Sequence, residues 1–497
     1  METKPIKNIV IAGGGTAGWI AAVALSKKLS GAVSSITLVE SDDIGTVGVG
    51  EATIPPIRVF HKLMQIDEQE FMRETDATFK LGISFEGWKN IGADYIHSFG
   101  KTGKEAWLAE FVHFWLRAKE KGFAGDFGDY CYELQAAKQN KFGLSPGADI
   151  NYAYHLDATK YAKYLRKISE SHGVKRVEGK ISSVNQDAST GFINSLQLDS
   201  GTLIEGDLFI DCTGFSGLLI EKTLHTGYED WSHWLPCDSA VAMQTELTEP
   251  AIPYTRSVAH RAGWRWKIPL QHRVGNGLVY SRQHMSDESA REKILSDVNG
   301  KPLNDPRVIR FRTGCRRKNW NKNCIALGLS SGFIEPLEST SIHLFIMGVT
   351  RLMQMFPFAG VHDSVVEEFN TQSRKELEMV RDFIILHYKV TNRTDSSFWS
   401  YCKNMDVPSS LARRIEVFQE AALAFQREGE LFRVDSWSQV MLGQGIMPSH
   451  YHRIADQMSD KELKRFLETM KFGIDNAVDK LPLHHNFIEQ YCKTKPH

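Results

Sequence analysis

The sequence predicts an α/β protein, with a parallel sheet near its N-terminus and helices at its C-terminal end. Three observations carry this. A short apolar run at 7–12 (KNIVIA) breaks on three consecutive glycines and passes into a helical pattern, with Trp19, Ile20, Val23 and Leu29 spaced for one face. A second apolar run follows at 35–40 (SITLVE), which completes the β-turn-α-β unit of a parallel sheet. From about residue 365 onward apolar residues recur at helical spacing: Val365, Phe369, Leu377, Val380, Phe383 and Ile384, then Leu411, Ile415, Phe418 and Leu423.

Between these ends, β-rich runs at 175–184, 192–198, 203–210, 239–247 and 278–281 predict further strands. No internal repeat, low-complexity tract or Pro/Gly-rich linker interrupts them, so the chain reads as one interlaced α/β body with a helical C-terminal part. The 497 residues carry 59 Lys+Arg against 60 Asp+Glu, 42% hydrophobic and 24% charged. That balance excludes intrinsic disorder and gives no long-range pull toward nucleic acid or an acidic membrane. The seven cysteines are odd in number and form no CxxC, so neither a disulfide framework nor a thiolate zinc site is indicated, and a cytoplasmic setting fits. The most apolar stretch, 9–25, is broken by glycines, is too short to span a membrane, and is followed by Ser26-Lys27-Lys28 instead of a cleavage site.

Gly13, Gly15 and Gly18 match G-x-G-x-x-G directly after a strand, with Thr16 and Ala17 opening a helix. The first glycine permits the turn, the second lets a pyrophosphate approach the backbone, and the third packs helix on strand. The helix N-terminus favours the anion. Glu40 ends the next strand, 22 residues after Gly18 (40 − 18), where an acid holds ribose hydroxyls. A tight turn alone would also explain the glycines, but the flanking strands and the acid favour a dinucleotide. Two later strand-to-turn segments, 206–214 with Asp211 and 323–332 with Gly328 and Leu329, are similar to the late strands of glutathione-reductase-type FAD proteins. That points to FAD, and the absence of a second fingerprint points to a separate flavin reductase.

Residues 263–269 (GWRWKIP) carry W-x-W-x-I-P, with Trp264, Trp266, Ile268 and Pro269. An aromatic ladder in a sheet is the ordinary reading of two such tryptophans. Beside GxGxxG, however, the chain resembles the flavin-dependent halogenases of the tryptophan-halogenase family. Further matching segments are 50–55 (GEATIP), Phe79-Lys80, 154–158 (YHLDA), 335–340 (EPLEST), 381–384 (RDFI) with His387-Tyr388, and Phe398-Trp399.

The resemblance implies a glutathione-reductase-type, Rossmann-like FAD-binding fold over 1–360. Substrate-region segments at about 80–160 and 235–320 are interlaced with it, and a helical region at 361–497 covers the substrate. It implies that reduced FAD and dioxygen turn chloride or bromide into hypohalous acid, which crosses a tunnel to a lysine beside an aromatic ring. By motif match the lysine is Lys80, the partner glutamate is Glu338, and the halide rests on the N–H groups of Thr340 and Ser341. The flavin also lies against Ala52 and Val177. His97 and Phe99, in H-x-F-G, flank the substrate ring, with Ile54 and Pro55 near it. Apart from the resemblance, our hypothesis for Trp264 and Trp266 is that they wall the flavin off from the substrate.

The residue chemistry suits these roles. An ammonium can hydrogen-bond hypohalous acid, a fixed carboxylate can take the proton of a halogenated ring cation, and successive N–H groups can nest an anion. Taken singly, Lys80 reads as a surface cation, Glu338-Ser339-Thr340 as a helix start, and His97 and Phe99 as core aromatics.

The sequence departs from family members that act on free tryptophan. It lacks their adjacent tyrosines and downstream glutamate in the region 435–448, so an indole-type aromatic without the amino-acid group fits better. Ser341 stands where glycine is expected. His484-His485 and His450-x-His452 have no metal spacing and read as surface histidines. A flavin monooxygenase and a protein with structural FAD are the alternative functions, and a homodimer is among the expected assemblies.

Overall fold

The computed structural model describes residues 4–44, 50–104, 109–144 and 150–494, in two compact units, each assembled from three chain segments. The first unit takes residues up to 76, 156–233 and 311–378. Its sheet runs Trp320–Asn321, Cys324–Ala326, Leu208–Asp211, Asn8–Ala12, Ser35–Glu40, Lys175–Glu178. Asn8–Ala12 is central and pairs parallel on both sides, Ile9 with Ile36 and Val10 with Phe209. A strand covered on both faces must be apolar throughout, as IVIA is. Helix Thr16–Leu29 is buried from Gly18 to Ser26, with helices Ala158–Ser171 and Ser341–Gln354 against it.

Two predicted strands each divide in two. The run 175–184 becomes Lys175–Glu178 and Ile181–Gln186, because Gly179 takes φ +154° and redirects the chain. The run 203–210 becomes Leu203–Glu205, in a three-stranded antiparallel sheet with 181–186 and 193–198, and Leu208–Asp211 in the parallel sheet. Between them Asp207 accepts the backbone N–H groups of Lys7 (3.0 Å) and Asn8 (2.9 Å), pinning the start of the central strand. The apolar pattern hid this change of sheet.

The second unit takes 77–155, 234–310 and 379–497. Its seven-stranded sheet runs Arg307–Arg310, Ser239–Glu246, Arg273–Tyr280, Gly263–Pro269, Thr255–His260, Gly82–Glu86, Asp94–Ser98. The predicted strand at 278–281 is the end of Arg273–Tyr280. Gly275, Asn276 and Gly277 hid its first half, and Gly277 is required there because any Cβ would fall 1.9 Å from the Trp266 ring. The short strand Thr78–Lys80 pairs antiparallel with residues 153–155. Helices Ser397–Asn404, Ser409–Ala421, Val434–Gly443, Asp460–Asp479 and His484–Tyr491 follow. Among the described residues no helix is long and apolar enough to cross a membrane.

Candidate active site

The glycine loop of the first unit divides its labour as the spacing predicts. Gly13 turns at φ +105°, and a Cβ there would lie 2.3 Å from the Cys212 carbonyl oxygen. A Cβ at Gly18 would lie 1.9 Å from the Gly13 carbonyl oxygen, so helix and strand touch backbone to backbone. Gly15 differs: a Cβ there meets nothing within 4 Å. The open space lies at the first turn of helix Thr16–Leu29, which holds no acidic residue, so N–H groups and dipole face it uncompensated. These residues fit the pyrophosphate of FAD.

Around the loop, Glu40 accepts from Arg176 Nε (2.6 Å) and from Trp19 Nε1 (3.4 Å), which fixes its carboxylate at the strand end while leaving acceptor capacity for ribose hydroxyls. Arg176 carried no motif signal. Gly328, at φ +78°, brings the 328–330 turn against the same helix, where a Cβ would lie 2.6 Å from Ala17 Cβ; Leu329 is half-buried beside it. Val177 packs half-buried into the core beside Val39, and Ala52 and Ile54 are buried ahead of the helix Pro56–Leu63, with Pro55 as its cap. Asp211 is spent within the fold. Its carboxylate accepts from Thr213 N and Oγ1 and from Leu219 and Ile220 N (2.7–2.9 Å), so it shapes the turn.

Further along, Glu335 and Glu338 are fully buried. Ser339 takes the left-handed conformation (φ +58°), and Thr340 caps the helix Ser341–Gln354. Thr340 Oγ1 is buried with no hydrogen-bond partner among the described residues, at the positive end of a 14-residue helix. An orphaned hydroxyl beside free N–H groups is a donor set suited to an anion.

In the second unit Lys80 is fully buried, with Nζ 5.2 Å from the centroid of the half-exposed Phe99 ring. Phe99 N donates to Leu81 O (2.9 Å), tying the ring's backbone to the residue after the lysine. His97 is buried 5.5 Å from Phe383 and 6.2 Å from Phe432. Phe383 in turn stacks on Phe432 (3.7 Å) and meets the Trp437 edge (4.7 Å). Trp264 and Trp266 share one strand face, 6.0 Å apart, both buried. They lie opposite Ala259, Val279, Ser257 and Gly277, so they form no cross-strand ladder; Trp264 meets Trp88 instead, at 6.3 Å. Ile268 is buried, and Pro269 O accepts from Thr78 Oγ1 (2.8 Å).

Residues 8–460 match the family described as Tryptophan halogenase. The chain belongs to the tryptophan halogenase family. It is 33% identical to Tryptophan 7-halogenase RebH of Lentzea aerocolonigenes, over 98% of each chain. Among solved structures it is similar to Xcc4156, a flavin-dependent halogenase from Xanthomonas campestris (52% identity, TM-score 0.97, 99% of this chain and 100% of that one). It is similar also to BrvH from Brevundimonas sp. BAL3 (42%, TM-score 0.94, 98% and 99%). The protein is thus an FAD-dependent halogenase that uses a halide.

Where this halogenase lacks the tyrosine pair, it places the helix Val434–Gly443, and the charged groups there are already engaged. The buried side chains of Arg414 and Glu430 pair, with Arg414 Nη2 donating to both carboxylate oxygens (2.9 and 3.0 Å) and the guanidinium 3.9 Å from the Trp437 ring. Asp435 accepts from Thr102 N (2.8 Å).

The structure does not place all four histidines at the surface, where the sequence predicts them. His484 is buried, not a surface group: Nδ1–H donates to Ala251 O (2.7 Å) and Nε2 accepts from Phe79 N–H (3.2 Å). Burial holds its pKa down to about 4. His485 is half-buried, and His450 and His452 are exposed. Phe383 lies in the matching segment 381–384, whereas Gln439, Phe432 and His484 carried no motif signal in the sequence.

Proposed function

We propose that this halogenase acts on an electron-rich aromatic of the indole type that carries no charged amino-acid group. Lys80 delivers the halogen and Glu338 receives the ring proton. The observation that carries the reading is the fully buried Lys80 ammonium above the Phe99 ring, in a unit whose His97 is lined by aromatic faces. Stacking and edge contacts of that kind suit a flat π-system. The engaged state of Arg414, Glu430 and Asp435 supports an uncharged substrate, since a buried ammonium or carboxylate without a partner is costly.

Bound reduced FAD supplies the electrons with which dioxygen oxidises the halide; Gly13, Gly15, Thr16, Gly18, Glu40 and Gly328 are the residues that would hold it. The N–H groups of Thr340 and Ser341 hold the halide at the helix start, where the orphaned Thr340 hydroxyl adds a donor. Lys80 hydrogen-bonds the hypohalous acid and polarises its O–X bond. A ring carbon takes the halogen with its π electrons, the O–X bond breaks, and the oxygen leaves as water with a proton from the ammonium. The ring cation then loses its proton to Glu338, whose charge stabilises that cation. Trp264 and Trp266 separate the oxidant's origin from the ring. A separate reductase returns the flavin to its reduced form. The reading carries with it a cytoplasmic setting, which seven buried thiols suit, and a homodimer, which light scattering reads directly.

Lys80→Ala tests it. The variant is expected to oxidise reduced flavin and release hypohalous acid at the normal rate while halogenated indole falls below a hundredth. Loss of flavin oxidation, or retention of product, overturns the role of Lys80.

A further inference from the structure

The edge strand Asp94–Ser98 continues into Phe99 and Gly100, and a helix side chain takes over the hydrogen bonding on that flank. Gln439, 5% exposed on the helix Val434–Gly443, accepts from Ser98 N (2.8 Å) and donates to Gly100 O (3.2 Å) and Thr102 Oγ1 (3.1 Å). Its amide therefore bridges the residues on either side of Phe99. One helical turn earlier Asp435 accepts from Thr102 N (2.8 Å). On the other flank Phe99 N donates to Leu81 O, next to Lys80. The neighbouring helix residues Trp437, Val440 and Met441 are apolar and fully buried, so a polar amide among them must find its partners, and it finds them on this one segment.

We propose that Gln439 is a positioning residue for halogen transfer: by fixing the backbone on both sides of Phe99 it sets the ring under Lys80 Nζ and the place of the substrate ring beside it. The hydrogen bonds that Gln439 makes among the described residues go to this segment, so its effect falls on the use of the oxidant and not on its production. A shift of about 1 Å in a reacting pair costs about a hundredfold in rate. The proposal rests on the reading of Lys80 given above.

The test compares wild type, Gln439→Leu, Gln439→Glu and Lys80→Ala with a flavin reductase, bromide and indole. Flavin oxidation, hypohalous acid captured by a competing trap, and bromoindole isomers are measured together. Gln439→Leu loses both contacts beside Phe99. It is expected to keep flavin oxidation, to lower bromoindole per hypohalous acid at least tenfold, to raise trapped acid in step, and to yield a second ring isomer. Gln439→Glu keeps the acceptor for Ser98 N–H and is expected to fall between the two; it serves as the folded variant if Leu is not tolerated. A wild-type ratio and a single isomer in both Gln439 variants, with Lys80→Ala inactive, overturns the proposal alone. So does a loss of bromoindole matched by an equal loss of flavin oxidation, which is what damage to the fold would give. Full product from Lys80→Ala overturns the underlying reading instead.

Discussion

Replacing His484 by leucine probes how the strand bearing Lys80 is held. The imidazole joins two backbone groups from distant parts of the second unit, the Phe79 N–H and the Ala251 carbonyl, and leucine can satisfy neither. Each buried group left without its bond costs about 1–3 kcal/mol, so the variant is expected to lose about 2–6 kcal/mol near neutral pH. The loss must also depend on pH. Burial lowers the folded-state pKa from 6.5 to about 4, so the unfolded chain binds the proton first as the pH drops. The stability that neutral His484 contributes is therefore complete above the ordinary value of 6.5 and disappears as the pH falls toward 4. At about pH 5 the unfolded imidazole is mostly charged and the folded one mostly neutral, which removes about 2 kcal/mol of that contribution. Urea unfolding of wild type and His484→Leu at about pH 7.5 and about pH 5 reads both quantities. The gap between the two proteins is expected to narrow by about 2 kcal/mol at the lower pH. A gap that is the same at both values, or one below about 1 kcal/mol at neutral pH, refutes the assignment of a neutral, doubly bonded imidazole.

Arg414→Ala leaves Glu430 buried without its cation, a change worth about 3–5 kcal/mol. With about 2.1 cal/mol/K of unfolding entropy per residue over the whole chain, calorimetry should record a melting temperature lower by about 3–5 °C, and Arg414→Leu with Glu430→Leu should lose less than the single variant. Gly18→Ala drives a methyl group into the Gly13 carbonyl, so FAD affinity by fluorescence titration is expected to fall at least tenfold (about 1.4 kcal/mol); unchanged affinity would show that the loop can yield. In competition, indole is expected to be halogenated with a kcat/KM at least a hundredfold above that of free tryptophan, since about 3 kcal/mol is the least that two buried, unpartnered charges cost. Equal values measured by product mass would mean that this chain holds the amino-acid group by residues other than Arg414, Glu430 and Asp435.

The glycine loop was legible because its causes are local. A glycine that must turn at positive φ and another that must let helix touch strand leave their mark at fixed spacing, and the acid at the end of the second strand follows from the length of the helix between. Strand divisions at Gly179 and at 206–207 were not legible, since hydrophobicity continues across a change of sheet and only Asp207, bonded to residues 7 and 8, enforces it. The burial of His484 depends on Phe79, 405 positions away, and no local pattern encodes such a partner. Gln439 did leave a trace. Asp435 and Gln439 lie one turn apart on a helix whose neighbouring residues Trp437, Val440 and Met441 are buried, and a polar stripe beside buried positions marks something to be bonded there.

On the proposed role of Lys80, the oxidant would also attack any exposed imidazole or thiolate near its strand. Thr78 Oγ1 donates to Pro269 O, so His155, opposite it, must donate from Nδ1 to that hydroxyl and accept at Nε2 from Thr255. His484 accepts at Nε2 from Phe79 and donates from Nδ1. Both imidazoles are held neutral by burial, and in each the basic nitrogen's lone pair is already occupied. Cys131, whose sulfur lies 3.0 Å from Ser98 Oγ, is pushed up to about 12, by burial first and by the neighbouring Glu133 second. It therefore stays a thiol, the slow form toward oxidants. His155, His484 and Cys131 are thus each withdrawn from oxidation by hydrogen bonding and burial.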